Sequence, residues 1–128
     1  FENELYAAQD PLIGASGTGG SVWTWLGDKL IDSGQYDAIV FIAIGGSGTA
    51  IKEWAPGGQM HDRIISAIKS ARKSDLHITH LLWHQGETDA LLGTGRQQYQ
   101  AYFRQMIAAI RNHGVSAPVF VSLASRCK

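Results

Sequence analysis

Residues 80–90 read HLLWHQGETDA, and the fold turns on that stretch. The apolar run Leu81, Leu82 and Trp83 stops at a block of polar and glycine positions: His84, Gln85, Gly86, Glu87, Thr88 and Asp89. In a chain that alternates strands with helices, such a break marks the carboxyl end of a buried parallel strand. That is the edge at which these sheets hold ligand-binding and catalytic groups. A strand is predicted over residues 78–84, and the candidate chemistry follows it.

Upstream, residues 38–44 read AIVFIAI, a β-branched run closed by Gly45 and Gly46. This predicts a second strand, buried on both faces. Before it, Ser21 is placed to cap a helix running to about Ser33, with Val22, Trp25, Leu26 and Leu30 at helical spacing and Gly34 as its end. Trp23 and Trp25 are expected to pack rather than to stack on sugar. Residues 1–20, with Pro11 and several glycines, read as loop. Between the two strands, Ile64, Ile65, Ile68 and Ala71 predict a helix over about 60–74, with Lys69, Arg72 and Lys73 complementing its dipole. Downstream, Thr94 and Gln97 read as a capping box. The stripe Tyr99, Tyr102, Phe103, Met106, Ile107 and Ile110 predicts a helix ending near Gly114. Pro118 leads into a third strand over 119–123. Strands separated by such helices must be parallel, with right-handed crossovers. The expected fold is therefore α/β, a single domain over 1–128 built as a three-layer α/β/α sandwich of about three strands and three helices.

The chain has 128 residues, with eleven basic side chains balancing eleven acidic ones. Such a balance supplies no long-range field to gather nucleic acid or an anionic membrane surface, so a small, locally recognised partner is expected. Cys127 is the one cysteine and allows no internal disulfide. No stretch approaches about 18 consecutive apolar residues, and the opening Phe1-Glu2-Asn3-Glu4 lacks the basic and apolar parts of a signal peptide. A soluble protein is expected, with the compartment left open.

The two polar strand ends, 45–49 and 84–89, fall on the same edge of a parallel sheet and can flank one crevice. Gln85 offers a side-chain N–H. With a backbone N–H of Gly46 or Ser47 it has the makings of an oxyanion hole, although a glycine turn of this kind also ends many strands without binding anything. Glu87 and Asp89 can orient His84 or a substrate hydroxyl, or simply cap the turn, and Gly86 lets the backbone bend sharply beside them. Metal binding is not expected: His80 and His84 lie about 13 Å apart along a strand, too far to share an ion. No cofactor is implied. The internal nucleophile candidate is Ser47, but its turn has Thr49 where a nucleophile elbow requires glycine.

These residues resemble the SGNH hydrolases, in particular the carbohydrate esterase family six and sialate O-acetylesterase-like branch. The resemblance rests on WHQGETDA at 83–90, on the Gly45-Gly46-Ser47 turn with Ile51 and Trp54 behind it, and on the loop from Asp10 to Trp23. It implies a flavodoxin-like sandwich and a serine esterase that removes acetyl groups from sugars. By that resemblance Gly46 and Gln85 are the oxyanion donors, and His84, Gly86, Glu87 and Asp89 shape the pocket. Two departures stand out. The family's Gly-Gln-Ser-Asn-like nucleophile turn does not occur here, and no Asp has a His three positions on. The chain thus resembles the central part of an esterase domain, and self-association that covers exposed sheet edges is expected. The alternative is a non-catalytic module that binds sugar or protein.

Overall fold

A computed structural model describes residues 4–122, which fall into two compact units, 4–47 and 48–122. In the first unit, Ser21 is extended (φ −128°, ψ 166°) and its Oγ accepts from the Trp23 N–H at 3.3 Å, which starts α1 (Val22–Asp32) as expected. Gly27 is buried, and a Cβ on it would lie 2.9 Å from the Phe41 ring, so that aromatic ring sets the inner face of the helix. Trp23, Leu26 and Leu30 are half-buried, whereas Val22 and Trp25 are 61% and 70% exposed. The expected packing role of Trp25 is therefore corrected. At about 100° per residue, Trp25 stands roughly opposite Trp23 on the helix.

The strand expected at 38–44 is also corrected. That run is extended, but no strand is assigned to it. Ala38 and Val40 are exposed, and 41–44 are half-buried rather than buried on both faces. A β-branched run favours extended backbone, but only a paired neighbour makes it a strand.

The second unit holds α2 (Ile51–Trp54), α3 (His61–Lys73), β1 (Leu81–Trp83), α4 (Glu87–Leu92), α5 (Arg96–Asn112) and β2 (Val119–Val121). The long helices lie where their apolar stripes placed them. Their buried residues Ile64, Ala67, Ile68, Ala71, Met106 and Ile110 meet Ile51 and Trp54 of α2 in the core. β1 and β2 are parallel, with Leu81 opposite Val119, Leu82 opposite Phe120 and Trp83 opposite Val121. The fold is thus mixed α/β, with two paired strands among the described residues where about three were expected. Leu123 and Cys127 lie outside the described residues. No described helix is long and apolar enough to cross a membrane.

The capping box read at Thr94 and Gln97 is not formed. Gly95 caps α5 without a side-chain bond, because Thr94 is already engaged in ending α4. Its N–H donates to Asp89 O (2.9 Å) and the Gly93 N–H to Ala90 O (3.3 Å), with Gly93 left-handed at φ 68°. This is a Schellman closure. The same pair of bonds ends α5 at Gly114 (φ 78°) and α3 at Asp75 (φ 56°). An L-residue with a Cβ is disfavoured in that conformation, so Gly93→Ala is expected to cost about 1 kcal/mol. Asp75→Gly is expected to leave stability unchanged or raise it by about 0.5 kcal/mol. Urea unfolding of both variants checks the pair.

Candidate functional site

The backbone leaves β1 at Trp83 and reverses at Gly86, whose φ of 145° is open to glycine and strained for other residues. That reversal begins α4 with Asp89 in its first turn and aims the Gln85 side chain and the Asp89 carboxylate at the same point. Gln85 Nε2 donates to Asp89 Oδ2 at 2.6 Å and to the Thr49 carbonyl at 3.0 Å. Its Oε1 accepts from the Tyr99 hydroxyl at 2.9 Å. Both hydrogens of the amide are therefore engaged, and its orientation is fixed from both ends.

Asp89 is 4% exposed. Its Oδ2 also accepts from the Ile51 N–H at 2.7 Å, which is the first donor of α2 and has no partner inside that helix. Glu53 Oε2 accepts from the Ala50 N–H at 3.1 Å, so two carboxylates serve this one helix end. Asp89 Oδ1 is buried and makes no hydrogen bond among the described residues.

Aromatic side chains close the site. Trp83 Nε1 donates to the Tyr99 hydroxyl at 3.1 Å, and Trp54 Nε1 donates to Thr49 Oγ1 at 2.9 Å. The two indoles meet edge to face at 5.6 Å, while Phe103 stacks on Tyr99 at 6.5 Å. Burial pushes the Tyr99 phenol above its ordinary value of 10.0. The negative charges of Asp89 and Glu87 act in the same direction, and the Trp83 N–H opposes them.

The structure thus brings Gln85 and Asp89 together, with Gly86 as the bend between them. His84 and Glu87 form a separate pair, Nε2 to Oε1 at 3.4 Å, with both side chains about half exposed. Gly46 and Ser47 belong to the 4–47 unit, where Gly46 is half-buried and Ser47 exposed. In that unit Gly45 N–H donates to Gly14 O at 2.8 Å, and a Cβ on Gly45 would lie 2.5 Å from Ser16 N. The glycine there is needed for the close passage of two backbones. Asp10, at the start of the 10–23 loop, accepts from Ser21 Oγ (2.6 Å) and Thr24 Oγ1 (2.8 Å), which hold its pKa below the usual carboxylate value.

Sequence reasoning missed Tyr99, Thr49 and the Ile51 N–H. Tyr99 fell into the apolar stripe of α5, and its hydroxyl was the available signal, since a phenol carried inward needs a partner.

A family model described as carbohydrate esterase, sialic acid-specific acetylesterase, matches residues 2–125. A probable carbohydrate esterase of Arabidopsis thaliana is 34% identical over 71 residues, which cover 56% of this chain. The match covers 27% of the length of that curated relative.

Asp89→Ala removes the acceptor of the buried Ile51 N–H and of the half-buried Gln85 amide and is expected to destabilise the protein by about 3 kcal/mol, measured by urea unfolding. Tyr99 has a folded pKa above its unfolded one. Its contribution is therefore complete below about pH 10 and is lost as pH rises through the folded value. Tyr99→Phe is expected to remove that part of the alkaline loss in unfolding curves recorded between pH 8 and 11.

Proposed function

Since the chain belongs to the carbohydrate esterase, sialic acid-specific acetylesterase family, we propose that it forms part of an enzyme that hydrolyses O-acetyl esters on sugars. The observation that carries this reading is the fixed Gln85 amide at the carboxyl end of β1. Serine attack on an ester carbonyl builds negative charge on its oxygen, and an N–H donor held beside that oxygen lowers the barrier. Gln85 supplies the side-chain donor, and Gly46 is the backbone donor that the family resemblance implies. For Gln85, the oxyanion takes over the N–H that rests on the Thr49 carbonyl, the longer of the two contacts, while Asp89 keeps the other. His84, Gly86, Glu87 and Asp89 shape the pocket, and Ser47 is the candidate nucleophile of this chain. The complete domain is a flavodoxin-like three-layer sandwich.

A second reading has its own support. Both Gln85 hydrogens are engaged inside the protein, which fits a non-catalytic sugar- or protein-binding module in which WHQGETDA only ties the fold together.

A serine-directed fluorophosphonate, followed by peptide mass spectrometry, tests Ser47 directly. The esterase reading of this chain expects a covalent adduct there. A folded chain that takes up no label at Ser47 rejects it as the nucleophile. In an ester-hydrolysing form of the protein, Gln85→Ala is expected to lower kcat by about 100- to 1,000-fold. Undiminished turnover rules out Gln85 as a donor.

Self-association is part of the same proposal. Leu82 and Phe120 sit side by side on β1 and β2, 41% and 53% exposed, on a parallel sheet of a kind that is ordinarily covered on both faces. Phe120→Lys is expected to lower the mass seen in light scattering. A wild-type protein that is monomeric at every concentration overturns this part.

A further inference from the structure

An indole costs free energy when left in water, and Trp25 is 70% exposed on α1. Along the same side of the helix, within an arc of about 80°, run Val22, Trp25, Lys29 and Asp32. Val22 is 61% exposed, and Lys29 and Asp32 are exposed as well. The Lys29 ammonium lies 5.6 Å from the centre of the Trp25 ring, on one face of it.

We propose that this stripe is a saccharide-binding site, with Trp25 as a stacking platform and Lys29 as the group that favours an acidic sugar. The inference rests on the reading of the protein as one that acts on carbohydrate. The apolar face of a pyranose carries several C–H bonds that are weakly positive, and the negative face of an indole attracts them. With Lys29 on one face, the other face of Trp25 is available to the sugar, and the ammonium stays within reach of a carboxylate at the ring's edge. The dimensions favour sugar over protein. A protein partner ordinarily claims a contiguous apolar patch of several hundred Å². Here Val22 is the one apolar neighbour on the stripe; Lys29 and Asp32 border the ring with groups that can bond to hydroxyls, and Lys29 alone attracts a carboxylate.

The experiment is a titration of the 128-residue chain with 3′-sialyllactose and, separately, lactose, followed by ligand-observed NMR and calorimetry. Saturable binding of 3′-sialyllactose is expected, with Trp25→Ala weakening it by at least about tenfold, as loss of one stacking contact does. Trp25→Tyr should retain affinity within about threefold, because an aromatic face remains. Lys29→Gln should bring 3′-sialyllactose down to the affinity of lactose, a loss of about two- to fivefold for an exposed charge pair. Each side chain is on the surface, and circular dichroism of the variants confirms that they fold. The proposal is overturned if the wild-type chain shows no saturable binding or if Trp25→Ala binds as the wild type does. It is also overturned if Trp25→Ala changes only the mass in light scattering, which would make the stripe a protein interface. Ester hydrolysis without Trp25-dependent binding defeats this inference and leaves the esterase reading standing. Trp25-dependent binding without hydrolysis by this chain supports the inference and leaves the esterase reading to its own test.

Discussion

A single buried carboxylate holds the 48–122 unit in register. Asp89 Oδ2 accepts from the Ile51 N–H and from the Gln85 amide, so one atom joins the start of α2, the turn after β1 and the body of α4. Burying a charge is expensive unless donors surround it, and here the donors are themselves groups that need an acceptor: a helix N–H with no partner inside its helix and a half-buried amide. The tie is reciprocal. Losing either side strands the other in a low-dielectric interior, where an unmet polar group costs more than a made hydrogen bond returns.

From this tie the rest of the site acquires its order. With the amide nitrogen of Gln85 held by Asp89 and Thr49, the oxygen must face Tyr99, and the phenol then presents its own oxygen to the Trp83 indole N–H. Each group donates in one direction and accepts from the other, so the chain from indole to carboxylate has a fixed polarity. Trp54 and Phe103 pack against the Trp83 ring beside it. A position selected for chemistry and one selected for cohesion would be hard to tell apart here, because the carboxylate beside the Gln85 amide also caps α2 in the core.

How much of this could be read from the sequence differs by element and for physical reasons. α3 and α5 were legible within a residue or two because a repeated apolar stripe is a property of the segment itself. β1 was legible from the abrupt end of its apolar run. The run at 38–44 was not, since strand formation depends on a partner that no local pattern encodes. α4 escaped notice because a polar block after a strand reads equally as turn or helix, and Gly93 was the one sign of its end. In the site, residue types pointed to Gln85 and Asp89 but not to their partners, Ile51 N–H and Thr49 O, which are backbone groups common to every residue. Trp25 was misjudged by a small rotation of the helix: an apolar stripe with Trp at both 23 and 25 cannot bury both.

The pairing of β1 with β2 bears on how the 48–122 unit folds. The two strands meet only after α4 and α5 have traversed the sheet, so the ladder from Leu81–Val119 to Trp83–Val121 closes a long loop. The entropy of that closure must be met before its few hydrogen bonds form. The packing of α2 on α5 closes a loop at least as long, so the helical core and the strand ladder are comparable in locality. Gln85 belongs to both, through its place at the carboxyl end of β1 and its bond to Asp89. The polar chain at this site then reports the stability of ladder and helical core together.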